Sequence, residues 1–195
     1  PCSTIQYALD LAEDEDVVEV VAGHVCLGPG NVDVVFPAQL AVVEVRTRFF
    51  STPTEEIPAA IDCREEGRAL LFPNEQGPEV RVSDLIIRNC RAPTQTSRSS
   101  QQSPSLPSQP SASAISPHGG AILCAPGASP TFQSLLIQGC KAPQGGGGAI
   151  FWHGPHPPRG LGTCSFYSNT AAYGHDLATP PTGLRLAPVA LPPAD

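Results

Sequence analysis

The sequence predicts a mainly β fold built from stacked units of short strands, and three observations carry that expectation. A segment, Leu85-Ile86-Ile87-Arg88-Asn89-Cys90-Arg91-Ala92-Pro93, recurs at an offset of 50 as Leu135-Leu136-Ile137-Gln138-Gly139-Cys140-Lys141-Ala142-Pro143. Gly119-Gly120-Ala121-Ile122 returns at an offset of 28 as Gly147-Gly148-Ala149-Ile150, and at a further 27 as the degenerate Gly174-His175-Asp176-Leu177. Finally, the apolar runs are short and β-branched, and one segment alone has a helical period.

That segment comes first. Ser3-Thr4-Ile5-Gln6 fits a capping box, and Ile5, Ala8, Leu9 and Ala12 fall at i, i+3, i+4 and i+7. One short amphipathic helix is expected, ended by the acidic run Asp14-Glu15-Asp16. The period then changes. Val17-Val18-Glu19-Val20-Val21, Val32-Asp33-Val34-Val35-Phe36 and residues 40–45 read as strands, because β-branched side chains suit a pleated, half-buried surface. The repeat register continues upstream through Ile61-Asp62-Cys63 and Ala69-Leu70-Leu71-Phe72, since Cys63 precedes Cys90 by nearly the glycine repeat's own offset. A weaker third copy of the first repeat is Cys164-Ser165-Phe166-Tyr167-Ser168-Asn169-Thr170-Ala171, offset from the second by 29.

The spacing of 50 against 28 is explained by residues 94–117. Those 24 positions hold 9 Ser, 4 Gln, 4 Pro and 2 Thr with a single charge, Arg98, and are expected to form a disordered insertion. Without it, one repeat unit accommodates three strands and three turns, one coil of a parallel β-helix. The gaps between strands are too short for crossover helices, which excludes a doubly wound α/β sheet. Gly-Gly suits a sharp corner where φ is positive. The expected organisation is a β-helix domain over 1–178, interrupted at 94–117, and a Pro-rich tail or linker over 179–195.

Composition narrows the function classes. Net charge is -7 with no basic block, so neither nucleic acid nor an anionic membrane surface is expected as a partner. No apolar run approaches the ~20 residues that cross a bilayer, so membrane insertion is not expected. The chain has no Met and starts Pro1-Cys2-Ser3, as expected of a processed chain or a piece of a longer one. Its seven Cys contain no CxxC pair, which favours disulfides in an oxidising compartment over zinc. An odd count leaves at least one thiol free or paired outside the chain.

With these motifs in hand, the chain resembles the right-handed parallel β-helix, or pectin-lyase-like, superfamily over residues 3 to 178. Its two Gly-Gly-Ala-Ile motifs and Phe166-Tyr167-Ser168-Asn169 resemble the GGA(I/L/V) and FxxN repeats of chlamydial polymorphic outer-membrane proteins. The resemblance implies a right-handed stack of about five coils, one end covered by the N-terminal helix. Two intact Gly-Gly-Ala-Ile copies, the Ser/Pro insertion and the lack of a barrel depart from those surface proteins.

Many proteins of this fold cleave acidic polysaccharides, using carboxylates that hold calcium and an Arg that removes a proton. Here Asp62 and Asp84, with Arg88 and Arg91, are the candidates for such a lyase, against the plainer reading of solvated strand and turn residues. His153-Gly154-Pro155-His156, with His175 one coil later, is a candidate transition-metal patch or simply an exposed turn. Gly145 to Gly148 lacks the Lys-Ser or Lys-Thr of a phosphate loop. No catalytic, cofactor or resident metal site is expected.

All seven cysteines, Cys2, Cys26, Cys63, Cys90, Cys124, Cys140 and Cys164, are disulfide candidates. Cys63, Cys90 and Cys140 fall in one column with Asn169, and Cys124 with Cys164 and Cys2 with Cys26 are further pairs; a buried reduced ladder is the alternative. Ser103, Ser105 and Ser116 are candidates for O-linked glycosylation, since the Ser/Thr/Pro composition suits it and no N-x-Ser/Thr sequon exists. The expected function is a non-enzymatic structural or adhesive module of an extracellular or cell-surface assembly. Its partners are other protein subunits or domains. The second class is a polysaccharide lyase or carbohydrate-binding module, with glycans as ligands.

Overall fold

The computed structural model describes residues 4–50, 56–73, 79–94 and 116–180. Cys2, Ser3, Ser103, Ser105, most of the 94–117 segment and the tail from 181 lie outside the described residues. The fold is mainly β, with one short N-terminal helix, α1 (Ile5–Leu11). Its first turn is capped by Thr4, whose Oγ1 accepts from Tyr7 N at 3.1 Å, one residue later than the capping box places it. Gln6 is used differently: its amide accepts from Val35 N at 2.7 Å and donates to Val35 O at 3.0 Å. Asn31 Oδ1 takes the Ile5 N–H, so the helix start is satisfied from the strand layer beneath it.

Every described strand pair is parallel, and the chain visits the same three sheets in rotation. The first circuit is β1 (Asp16–Val21), β2 (Val25–Cys26) and β3 (Val34–Val35); the second is β4 (Val43–Arg48), β5 (Ala59–Asp62) and β6 (Leu70–Phe72). The third is β7 (Val80–Ser83), β8 (Leu85–Arg88) and β9 (Ile122–Cys124). The fourth adds β10 (Thr131–Gln133), β11 (Leu136–Gln138), β12 (Lys141–Gly146) and β13 (Ile150–Trp152). The last holds a 3-10 turn (Leu161–Thr163), β14 (Ser165–Tyr167), β15 (Thr170–Tyr173) and β16 (Leu177–Ala178). Sheet orders are β1-β4-β7-β10, β2-β5-β8-β11-β14 and β3-β6-β9-β13-β16, with β12 pairing β15 in a small fourth sheet.

Register turns the sequence repeats into columns. Ile86 pairs Leu136 and Ile137 pairs Phe166, so the two offsets of the first repeat are the pairing offsets of the second sheet. The core between the sheets is accordingly ladder-like: Cys26, Ile61, Ile87, Ile137 and Phe166 form one column, and Val34, Leu70, Ile122, Ile150 and Leu177 another. Phe36 stacks on Phe72 at 4.4 Å, and Phe132 meets Phe72 edge-on at 5.6 Å.

Corners explain the glycines. Gly119, Gly147 and Gly174 sit in register at φ +67°, +70° and +57°, a conformation that side chains resist. The second glycine of each pair is required by crowding: a Cβ on Gly120 would stand 2.0 Å from Gly148 O, and one on Gly148 2.2 Å from His175 O. His175 holds the same position in the last described circuit, where no described circuit lies beyond it. In the second circuit the position is Arg68, fully buried, whose guanidinium donates to the carbonyls of His118 and Gly119 at 2.8–3.0 Å and to that of Ser116. The returning end of the insertion is thus pinned to the stack by a buried Arg, and Ser116 is half-buried there.

Candidate functional site

Three groups of chemically capable side chains emerge from the columns. The first is the cysteine column. Cys63 and Cys90 are joined by a disulfide, their Cα atoms 4.7 Å apart, and Cys140 follows them in register as a buried free thiol. Asn169 ends the column, its Oδ1 accepting from Cys140 N at 2.9 Å and its Nδ2 donating to Ile137 O at 3.0 Å. The expected pair of Cys124 with Cys164 does not form. Cys124 and Cys164 are free, because Cys124 lies between Phe72 and Trp152 in the third sheet while Cys164 precedes β14 in the second. Cys26 is a free, buried member of the isoleucine column, and Cys2 is outside the described residues. These three thiols replace apolar core residues, a role small hydrophobic Cys fills readily.

The second group lies on the outer side of the second sheet. Arg88 Nε donates to Asp62 Oδ2 at 2.8 Å, while Asn89 Nδ2 at 3.1 Å and Arg64 N at 3.2 Å donate to Oδ1. Burial raises the Asp62 pKa, but these donors together outweigh it and hold the carboxyl below its ordinary value. Arg91 does not join this pair: its Nη1 lies 3.4 Å from Glu65 Oε2, and Lys141 Nζ approaches Glu65 Oε1 at 2.6 Å. Asp84 is separated from Asp62. It occupies a corner before β8, at the opposite end of that strand from Arg88, with φ 54°. The carboxylate pair a calcium site needs is therefore not assembled from Asp62 and Asp84.

A third group surrounds His118, which sequence reasoning missed. His118 stacks on Phe151 with ring centroids 4.2 Å apart, and His153 approaches both rings edge-on, at 6.4 Å from His118 and 4.9 Å from Phe151. His118 Nδ1 accepts from Gly146 N at 2.9 Å and lies 3.3 Å from the Tyr173 hydroxyl. That bond makes Nδ1 the acceptor and places the proton of the neutral ring on Nε2. Burial, then the neighbouring His153, then Arg68 push the His118 pKa down; burial does the same to His153 and raises that of Tyr173. A signal was present: His118, Gly146 and Tyr173 each stand one position before a glycine of the repeated corner, at Gly119, Gly147 and Gly174. Gly146 has no side chain because the Tyr173 ring passes over it, 2.3 Å from where a Cβ would sit.

His175 does not join His153. Its Nδ1 lies 3.5 Å from Ala171 N, whereas His153 and His156 line a cleft of about 460 Å³ with Arg159 and residues 127–129. Among the described residues no three His, Cys, Asp or Glu side chains converge as metal ligands. A larger cleft of about 600 Å³ separates α1 from β1, lined by Ile5, Ala8, Val18, Val20, His24 and Asn31. Among the described residues no helix is long and apolar enough to cross a membrane. No protein-family model matches the chain, and no curated protein or solved structure matches it.

Proposed function

We propose that this chain is a non-enzymatic structural or adhesive module of an extracellular or cell-surface assembly, folded as a right-handed parallel β-helix. Strand connections between parallel neighbours in one sheet are almost always right-handed, which supports the handedness. One observation carries the functional reading: among the described residues, two of the three sheets end in strands with no neighbour beyond them. β14 and β16 are the last described strands of the second and third sheets, whereas β10 is flanked by Arg159, whose carbonyl accepts from Phe132 N at 2.9 Å. Trp152, Leu161, Phe166 and Leu177, which pack against the core near or in the last circuit, are only partly covered. Unpaired strand edges beside uncovered apolar side chains are a template for another subunit or domain. The disulfide at Cys63 and Cys90 supports an oxidising compartment.

The polysaccharide-lyase alternative has less support. Arg88 donates its Nε–H to the Asp62 carboxylate at 2.8 Å, so the candidate guanidinium is engaged within the stack, and Asp84 does not join Asp62 as a second carboxylate. Carbohydrate binding without cleavage retains one favourable feature, the cleft at His153, His156 and Arg159. A single set of assays separates these readings: light scattering and electron microscopy for multimers, a glycan array, and release of unsaturated products from pectin with calcium. The structural reading predicts multimers with no array signal and no product. Calcium-dependent product lost in Arg88→Lys overturns it in favour of the lyase, and glycan capture lost in Arg159→Ala in favour of a carbohydrate-binding module.

A further inference from the structure

Three cysteines share one inward column, and two of them are joined. Cys63 and Cys90 stand on adjacent circuits with Cα atoms 4.7 Å apart. Cys140 holds the same relation to Cys90 on the other side: Arg88 pairs Gln138, Arg91 pairs Lys141, and Lys141 N donates to Cys90 O at 2.8 Å. Parallel neighbours lie about 4.8 Å apart, inside the ~4.4–6.8 Å window that a disulfide needs between Cα atoms. All three sulfur-bearing residues are fully buried. The column differs from those that hold the remaining described cysteines. Cys26, Cys124 and Cys164 take the places of Ile, of Phe and Trp, and of Leu, whereas here no apolar residue appears and the next member is Asn169.

We propose that Cys63, Cys90 and Cys140 form an intramolecular thiol–disulfide exchange site, in which Cys90 pairs alternately with Cys63 and with Cys140. In the step, Cys140 gives its proton to solvent and its thiolate attacks Cys90 Sγ. The Cys90–Cys140 bond forms as the Cys63–Cys90 bond breaks, and Cys63 leaves as a thiolate that takes a proton back. One disulfide and one thiol stand on each side, so no oxidant or reductant is consumed. The bond moves from joining the second and third circuits to joining the third and fourth, the third being the circuit that residues 95–115 interrupt. Burial, and then the nearby Asp62 carboxylate, push the Cys140 thiol up to about 12, against a backbone hydrogen bond at Cys90 that lowers it. The thiol is therefore protonated at rest, and the step is favoured as pH rises.

This site does not depend on the assembly role proposed above. The test is peptide mapping without reduction, after incubation at pH 8.5, acid quenching and alkylation in denaturant, on the wild-type chain and on Cys63→Ala and Cys140→Ala. The wild type is expected to give both Cys63–Cys90 and Cys90–Cys140 peptides, and Cys140→Ala the first alone. Cys63→Ala, treated with oxidised glutathione, is expected to form Cys90–Cys140. If Cys63→Ala keeps the wild-type far-ultraviolet spectrum yet leaves Cys90 and Cys140 both alkylated, the proposal is wrong. Should that variant not fold, the wild type decides: Cys63–Cys90 alone, with Cys140 fully alkylated after a day, overturns it.

Discussion

Cysteine chemistry in this chain is sorted by column. Cys26 occupies an isoleucine position, so Cys26→Val keeps an apolar side chain there and is expected to change stability by less than about 1.5 kcal/mol in urea unfolding. Cys63→Ala removes a staple between two circuits and is expected to cost about 2–4 kcal/mol. Equal effects of the two substitutions would contradict the assignment. His118 supplies a pH signature. Its pKa is lowered in the fold, so the unfolded chain binds the proton more tightly; the stabilisation is fully present above the unfolded value near 6.5 and is lost as pH falls through the lower folded value. Urea midpoints are expected to drop between pH 7.5 and 5, and His118→Phe to flatten that drop. Asp62 acts in the same direction at lower pH: its stabilisation is present above about 4 and fades as pH falls through the depressed folded value.

At the scale of elements, the corners decide which strands stack. Gly120→Ala is expected to cost more than about 2 kcal/mol, because its Cβ would meet the Gly148 carbonyl, a backbone atom that cannot swing away. Gly162→Ala, with open space around its Cβ, is expected to stay within about 0.5 kcal/mol of wild type, and thermal unfolding of both variants checks the contrast. These corners were legible in the sequence because Gly119-Gly120 and Gly147-Gly148 repeat at a fixed offset. The equivalent pair Gly67-Arg68 was not, since the insertion stretches its distance to Gly119-Gly120 well beyond that offset and a buried Arg replaces the glycine. Strand β2 also escaped, being too short to show alternation. The expected pairing of Cys124 with Cys164 failed for a related cause: their spacing does not reveal that they lie in different sheets.

For the whole molecule, the columns make a core in which neighbours in space are distant in sequence, as Ile61 is from Ile87 and Ile87 from Ile137. Such non-local pairing predicts slow folding, in milliseconds to seconds, which stopped-flow refolding measures; completion in microseconds would not fit. Among the described residues, the same stacking places most ion pairs between circuits, as at Asp62 with Arg88 and Glu65 with Lys141, and leaves Phe166 of β14 and Leu177 of β16 only partly covered. That distribution is what the proposed docking module requires. Everything rests on the parallel register, and methyl-to-methyl nuclear Overhauser spectroscopy on isoleucine-labelled protein tests it most directly. The stack predicts cross-peaks joining Ile61 to Ile87 and Ile87 to Ile137, and Ile122 to Ile150. Absence of those peaks, with contacts instead between strands adjacent in sequence, would contradict it.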